Sequence, residues 1–179
     1  MSAIIKQTAC LFAVLCLSFN AAAYDAIYKI SGRIQLGTCT LLSSSVVNVK
    51  LNDVYLSNTG LGSKPDSVSD KVDWNIVLEC PSDIPVIINP AGTTVSGKSS
   101  LLAIAPAADA ASGVGIETEY KAADGAWRVL ELNKTNTIVS TVKNDGILTL
   151  NFRGYYRQTA AEITPGTANA TLDLNIVYK

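Results

Sequence analysis

The sequence predicts an all-β sandwich, and three observations carry the prediction. Short runs of β-branched and aromatic residues recur along the chain, separated by Gly, Pro, Asn, Asp and Ser. Two segments, one near each end, alternate apolar and polar residues with the period of two that sets strand side chains on opposite faces. Only residues 101–112 are Ala-rich enough for a helical turn or two, and Pro106 interrupts them.

The first 23 residues are expected to be an export signal. Lys6 precedes an apolar run over residues 9–19, and Ala21-Ala22-Ala23 has the small-x-small form that a signal peptidase cleaves. The mature chain then starts at Tyr24. The run is too short to span a bilayer, and no later stretch offers about eighteen uninterrupted apolar residues, so no membrane insertion is expected. Cys10 and Cys16 leave with the signal, and Leu15 stands where lipid modification of Cys16 would need a small residue. Cys39 and Cys80 remain, and an even pair in an exported protein favours a disulfide over a metal site or redox motif. The bridge would close a loop of about forty residues, for which chain entropy gives roughly 4 kcal/mol of stabilisation.

Removing 23 of 179 residues leaves 156, the size of one domain with a real core. Without Lys6, 13 Lys and Arg stand against 15 Asp and Glu, a formal charge of −2. Such a chain, with no Lys/Arg cluster, has no electrostatic footprint for nucleic acid or anionic membrane. Its partners must be recognised by shape and hydrogen bonding.

Strands are expected over residues 26–36, 46–51, 72–78, 85–89, 113–120, 137–142, 146–156 and 168–178, a spacing that suits a sandwich or barrel. In the last segment Ala168, Ala170, Leu172, Leu174, Ile176 and Tyr178 fall on one face, and Asn169, Thr171, Asp173, Asn175, Val177 and Lys179 on the other. In the first, Tyr24, Ala26, Tyr28, Ile30, Gly32, Ile34 and Leu36 alternate with Asp25, Ile27, Lys29, Ser31, Arg33 and Gln35. An ordinary closed sandwich accounts for both. Gly32 points further, because glycine weakens a strand interior and marks a place where another group comes unusually close.

Catalytic readings are weak. With no histidine, Ser-His-Asp and Cys-His catalysis and His-ligated zinc are excluded, and no cofactor is implied. The run Gly92-Thr93-Thr94-Val95-Ser96-Gly97-Lys98-Ser99 fits the phosphate-loop pattern by letter, yet no βαβ alternation surrounds it, and a Gly/Ser/Thr-rich surface loop explains it better. Asp66, Asp70 and Asp73 lack the bidentate Glu of a calcium loop and fit a solvated connection. Trp74 and Trp127 have the chemistry to stack on a sugar, but Trp74 is expected to pack in the core against the disulfide, and Trp127 follows the turn-like Ala123-Asp124-Gly125.

These features together resemble a chaperone–usher fimbrial subunit of the type 1 kind, over the whole mature chain. The resemblance rests on the leading strand with central Gly32, on Cys39, and on Trp74-Asn75-Ile76-Val77-Leu78-Glu79-Cys80. It extends through Gly113-Val114-Gly115-Ile116 and Leu150-Asn151-Phe152-Arg153-Gly154-Tyr155-Tyr156 to a C-terminal segment with Gly166 fourteenth from the end and Tyr178 penultimate. Two positions depart from the family pattern: Glu79 alone separates Leu78 from Cys80, and Gly154 stands where alanine is common.

The resemblance implies an immunoglobulin-like sandwich that lacks its last strand and is completed by a strand from another molecule. Its parts would be a signal peptide (1–23), a donor strand (24–36) and a pilin domain (37–179). Tyr28, Ile30, Gly32 and Ile34 would enter the next subunit's groove. Gly166, Ala168, Ala170, Leu172, Leu174, Ile176, Tyr178 and Lys179 would form the groove that a periplasmic chaperone occupies first and a neighbouring subunit afterwards, with an outer-membrane usher guiding the exchange, a form of β-augmentation. The implied role is structural, in a surface fimbria that supports cell adhesion. The short leading strand resembles those of minor adaptor subunits more than that of the main shaft. The rival reading is a self-contained secreted sandwich that binds carbohydrate.

Overall fold

The computed structural model describes residues 31, 37–139, 141–144 and 146–177. The expected signal and leading strand lie outside the described residues except for Ser31, as do Tyr178 and Lys179. The chain divides into two units, Met1–Gln35 and Leu36–Lys179, and every strand described below belongs to the second.

Among its described residues that unit holds ten strands: β1 (Thr40–Leu41), β2 (Val72–Cys80), β3 (Val86–Ala91), β4 (Thr94–Val95), β5 (Lys98–Ala103), β6 (Val114–Lys121), β7 (Trp127–Val129), β8 (Asn136–Val139), β9 (Gly146–Gln158) and β10 (Asp173–Val177). No helix occurs among the described residues. One sheet runs in the order β1-β2-β9-β6-β5-β4, with β7 also on β6, and the other in the order β10-β3-β8. All pairings between these strands are antiparallel.

The alternation read from the sequence decides what each sheet buries. Along β2, Ile76, Leu78 and Cys80 point inward; across the β2–β9 register Ile76 faces Leu150 and Leu78 faces Leu148. Val86 and Ile88 of β3 and Ile138 of β8 supply the opposing layer, and Leu130 and Val142 close it. Burying each such side chain contributes about 1.5–3 kcal/mol. Cys39 and Cys80 form a disulfide across a separation of 41 residues, tying the segment before β1 to the end of β2 inside this core.

Three expectations need correction. Leu101–Ala103, read as possible helix, is the inner half of β5: Leu101 and Leu102 are buried and pair with Glu117 and Ile116, and this tertiary burial outweighs the local alanine bias. Residues 46–51 are not a paired strand; they line a groove, and no strand among the described residues supplies their ladder. Trp74 does not pack on the disulfide. It sits six residues from Cys80 along β2, about 20 Å at strand rise, and stacks on Phe152 across the sheet, with ring centroids 4.5 Å apart.

The phosphate-loop look-alike forms a β-hairpin. Its Gly92 follows β3, Thr94 and Val95 make β4, and Lys98 starts β5 beyond the Ser96-Gly97 turn, so no helix N-terminus stands there to cradle a phosphate. Of the three aspartates, Asp66 meets Lys98 at 3.3 Å, and Asp73 is exposed on β2.

Candidate functional site: an apolar groove along the last strand

The groove follows from how β10 is placed. Asp173–Val177 pairs with β3 along one edge only; no strand among the described residues pairs with its other edge. A strand edge left without a ladder presents a row of N–H and C=O groups that another chain can use. Beyond that edge runs the segment from Leu41 to Leu56. Seven of the ten large apolar side chains most exposed among the described residues belong to it, with Tyr55 90% and Val46 72% exposed, so the apolar surface is concentrated beside one groove.

Between the two lies a pair of adjoining cavities. The smaller, about 550 Å³, is bounded by Val47 and Val49 on one side and Leu172, Leu174 and Ile176 on the other, over a floor that includes Trp74 and Ile76. The larger, about 910 Å³, continues toward Gly166 and Ala168, with Leu56, Leu61, Val114 and Ile163 as apolar walls and Asp53 and Asp109 as carboxylates. Leu51, Gly154's neighbour across the floor, borders both.

The expected alternation of the C-terminal segment is what faces this groove. Ala168, Ala170, Leu172, Leu174 and Ile176 are each half-buried, whereas Asn169, Thr171, Asp173 and Asn175 are exposed. Leu172, Leu174 and Ile176 lean on the core from its open side, so their inner surfaces are packed and their groove-facing surfaces are not. Gly166 has a separate job. A Cβ there would lie 2.2 Å from the Asp109 carbonyl oxygen and 2.7 Å from the Ala111 nitrogen, so only glycine lets the chain pass this close. The neighbouring amides exploit the approach: Thr167 donates to the Asp109 carbonyl at 2.7 Å, and Ala111 donates to the Thr167 carbonyl at 2.8 Å.

Tyr156 fastens the same segment from the floor, its hydroxyl donating to the Ala168 carbonyl at 3.3 Å. Burial, and then the Asp53 carboxylate, push its phenol above the ordinary value, so it stays a donor at neutral pH. Nearby, Gln158 is fully buried; its side-chain carbonyl accepts from the Gly62 amide at 2.9 Å and its amide donates to the Ala160 carbonyl at 2.9 Å, pinning two loops at the groove's wide end.

The outward face of the large sheet holds a charged cluster that the sequence reading missed. Tyr155, 1% exposed, donates to Glu117 at 2.6 Å, and its hydroxyl lies 2.9 Å from Glu119. Arg157 pairs with Glu117, while Arg153 and Lys71 pair with Glu119. The guanidinium of Arg153 also covers the ring of Trp127 at 4.2 Å, which occupies a face that a sugar would stack on. Burial alone raises the Glu119 pKa; the bonds from Arg153, Tyr155 and Lys71 outweigh it and hold the carboxyl below its ordinary value. Burial and both carboxylates push the Tyr155 phenol well up. The signal was present as Glu117-x-Glu119 on one strand and Arg153-x-Tyr155-x-Arg157 on another, which the antiparallel β6–β9 register brings face to face.

Two facing antiparallel sheets with an apolar groove along the last strand define the class, an immunoglobulin-like β-sandwich subunit. The family model described as "Fimbrial protein" matches residues 28–179, and the chain belongs to that family. It is 30% identical over 171 residues to a type-1 fimbrial protein subunit of Serratia marcescens, covering 89% of this chain and 90% of the relative. Among solved structures, a Burkholderia pseudomallei antigen and type I fimbria protein is 25% identical with a TM-score of 0.55, over 78% of this chain and 88% of that one. A subunit of a chaperone–usher pilus, 16% identical, shares the fold with a TM-score of 0.59 over 88% of this chain and 97% of that one. The protein is thus an exported subunit of surface fimbriae, in a family of structural and adhesive proteins rather than enzymes.

Proposed function

We propose that this subunit polymerises by donor-strand complementation: its groove takes a β-strand first from a periplasmic chaperone and then from the N-terminus of a neighbouring subunit, delivered at an outer-membrane usher. The observation that carries the reading is the one-sided pairing of β10 beside a continuous apolar groove. A strand added there would gain ladder hydrogen bonds from β10 and set alternate side chains into the two cavities. In this reading residues 1–23 are the signal peptide, 24–36 the donor strand and 37–179 the pilin domain. Tyr28, Ile30 and Ile34 fill the neighbour's groove while Gly32 crosses its shallow point. Tyr178 extends the apolar face of β10, and the carboxylate of Lys179 is held by the chaperone.

Expression in the periplasm tests this. Alone, the chain should aggregate or be degraded; with its cognate chaperone it should accumulate as a one-to-one complex. A soluble, long-lived monomer without any chaperone refutes the reading and favours a self-contained binding module. Gly32→Val should leave the chaperone complex intact and stop fibre growth.

A further inference from the structure

We infer that Gln158 is a positioning residue for the strand that enters the groove: it fixes two wall segments of the larger cavity, and the grip on an occupant there depends on it. The inference rests on the strand-accepting reading of the groove. It adds the side chain that shapes one of the two cavities, whichever molecule supplies the strand.

Along the inner row of β9 the side chains run Leu148, Leu150, Phe152, Gly154 and Tyr156, and the next is Gln158, a primary amide where the row calls for an apolar group. It is fully buried. Such an amide carries an acceptor and two N–H donors, and burying it is unfavourable unless each finds a partner. All three do. The carbonyl oxygen accepts from the Gly62 amide at 2.9 Å, and the nitrogen donates to the carbonyls of Ala160 at 2.9 Å and Ala161 at 3.2 Å. The Gly62 N–H can only donate, so the orientation of the side-chain amide is fixed.

These partners belong to two separate wall segments of the larger cavity. In the first, residues 57–63 fold back on themselves: Ser57 donates to the Leu61 carbonyl at 2.9 Å, Gly60 to the Ser57 hydroxyl at 3.0 Å, and Ser63 to the Gly60 carbonyl at 3.0 Å. Those bonds shape the loop without attaching it to a sheet. The bond from Gly62 to Gln158 attaches it, across 96 positions of sequence, and seats Leu61, 6% exposed, in the wall beside Leu56. In the second, Ala160 and Ala161 lead into Ile163 and Pro165, which line the same cavity. The backbone of Gln158 holds the first loop again further on, through Asp66 and Ser67 at 3.0 and 2.9 Å. A change of side chain therefore leaves that anchor in place and releases the Leu61 end.

Walls set before a strand arrives need no ordering when it enters, and apolar contact with them is gained in full. Methionine at position 158 keeps the length of the side chain but leaves the Gly62 N–H and the carbonyls it faced without partners. Glutamate keeps the acceptor for Gly62 and turns an oxygen toward the Ala160 carbonyl.

The test uses the full chain purified with its chaperone. Gln158→Met and Gln158→Glu should each shorten the lifetime of the chaperone complex about tenfold, the scale of one buried polar group left unpaired, and should speed amide hydrogen exchange at Gly62 by at least about as much. Double variants separate positioning from general stability. Leu61→Ala removes the wall that Gln158 holds, so Gln158→Met should add less than about twofold to it; with Leu174→Ala, in the smaller cavity, the two effects should multiply. Effects that multiply in both pairs show a structural role alone and overturn the inference. If neither Gln158 variant yields a complex, the native complex decides: a Gly62 amide that exchanges as fast as that of exposed Thr59 overturns the inference, and strong protection supports it. These failures leave the strand-accepting groove standing. If the native chain forms no chaperone complex and is soluble alone, the groove reading falls and this inference with it.

Discussion

Trp74 lies nearly flat on Phe152, with 16° between the ring planes, so one aromatic pair ends the closed core and begins the groove floor. Phe152 is fully buried, while Trp74 is half-buried and faces the cavity. Stability and, in the proposed reading, strand acceptance therefore meet in a single side chain.

Trp74→Ala should weaken both. Loss of a large aromatic contact costs about 3–5 kcal/mol when fully buried, and less at this half-exposed site. Trp74→Phe should retain most of the stability by keeping a stacked ring. Denaturant midpoints of the two variants, read beside uptake of the peptide of residues 24–36, separate the contributions.

Gly166→Ala should open the C-terminal segment locally, because its methyl would enter the space of the Asp109 carbonyl. Overpacking of this kind costs about 1–3 kcal/mol. The readout is faster amide hydrogen exchange at Ala111 and Thr167, whose bonds depend on that approach.

Acid should erode the outward charged cluster. The Glu119 pKa is lower in the folded chain than its ordinary 4.5, so its contribution is present in full above that value and is lost as pH falls through the lower, folded pKa. Unfolding midpoints measured downward from pH 6 should fall across that window, and Glu119→Gln should flatten the dependence while lowering stability at neutral pH.

Reducing the Cys39–Cys80 bridge, or replacing both cysteines with serine, should lower stability by about 2–4 kcal/mol, given the 41-residue separation it closes. Parallel denaturant titrations with and without reductant measure the difference.

Much of the groove wall was legible before any coordinates. Ala168 to Ile176 alternate by two, and the structure sets that apolar set against the cavity. Residues 72–78, 85–89, 113–120 and 146–156 were likewise found as strands, since β-branched and aromatic runs between turn residues identify them locally. Residues 46–51 look the same by composition, yet no strand among the described residues pairs with them. A strand needs a partner as well as a propensity, and nothing local encodes the partner. Leu101 and Leu102 failed for the opposite reason: alanine-rich neighbours suggested helix, and pairing with β6 overrode them.

The sequence alone determined which side chains share a face and which two cysteines remain to be joined, because strand parity and pairing chemistry are properties of the chain itself. Only the tertiary structure decided that Leu51 meets Gly154, that Glu117 and Glu119 face Tyr155, and that the outer edge of β10 borders an apolar groove. Those relationships depend on which distant strands become neighbours and in what register, and that is settled by how a whole set of side chains packs rather than by any one segment.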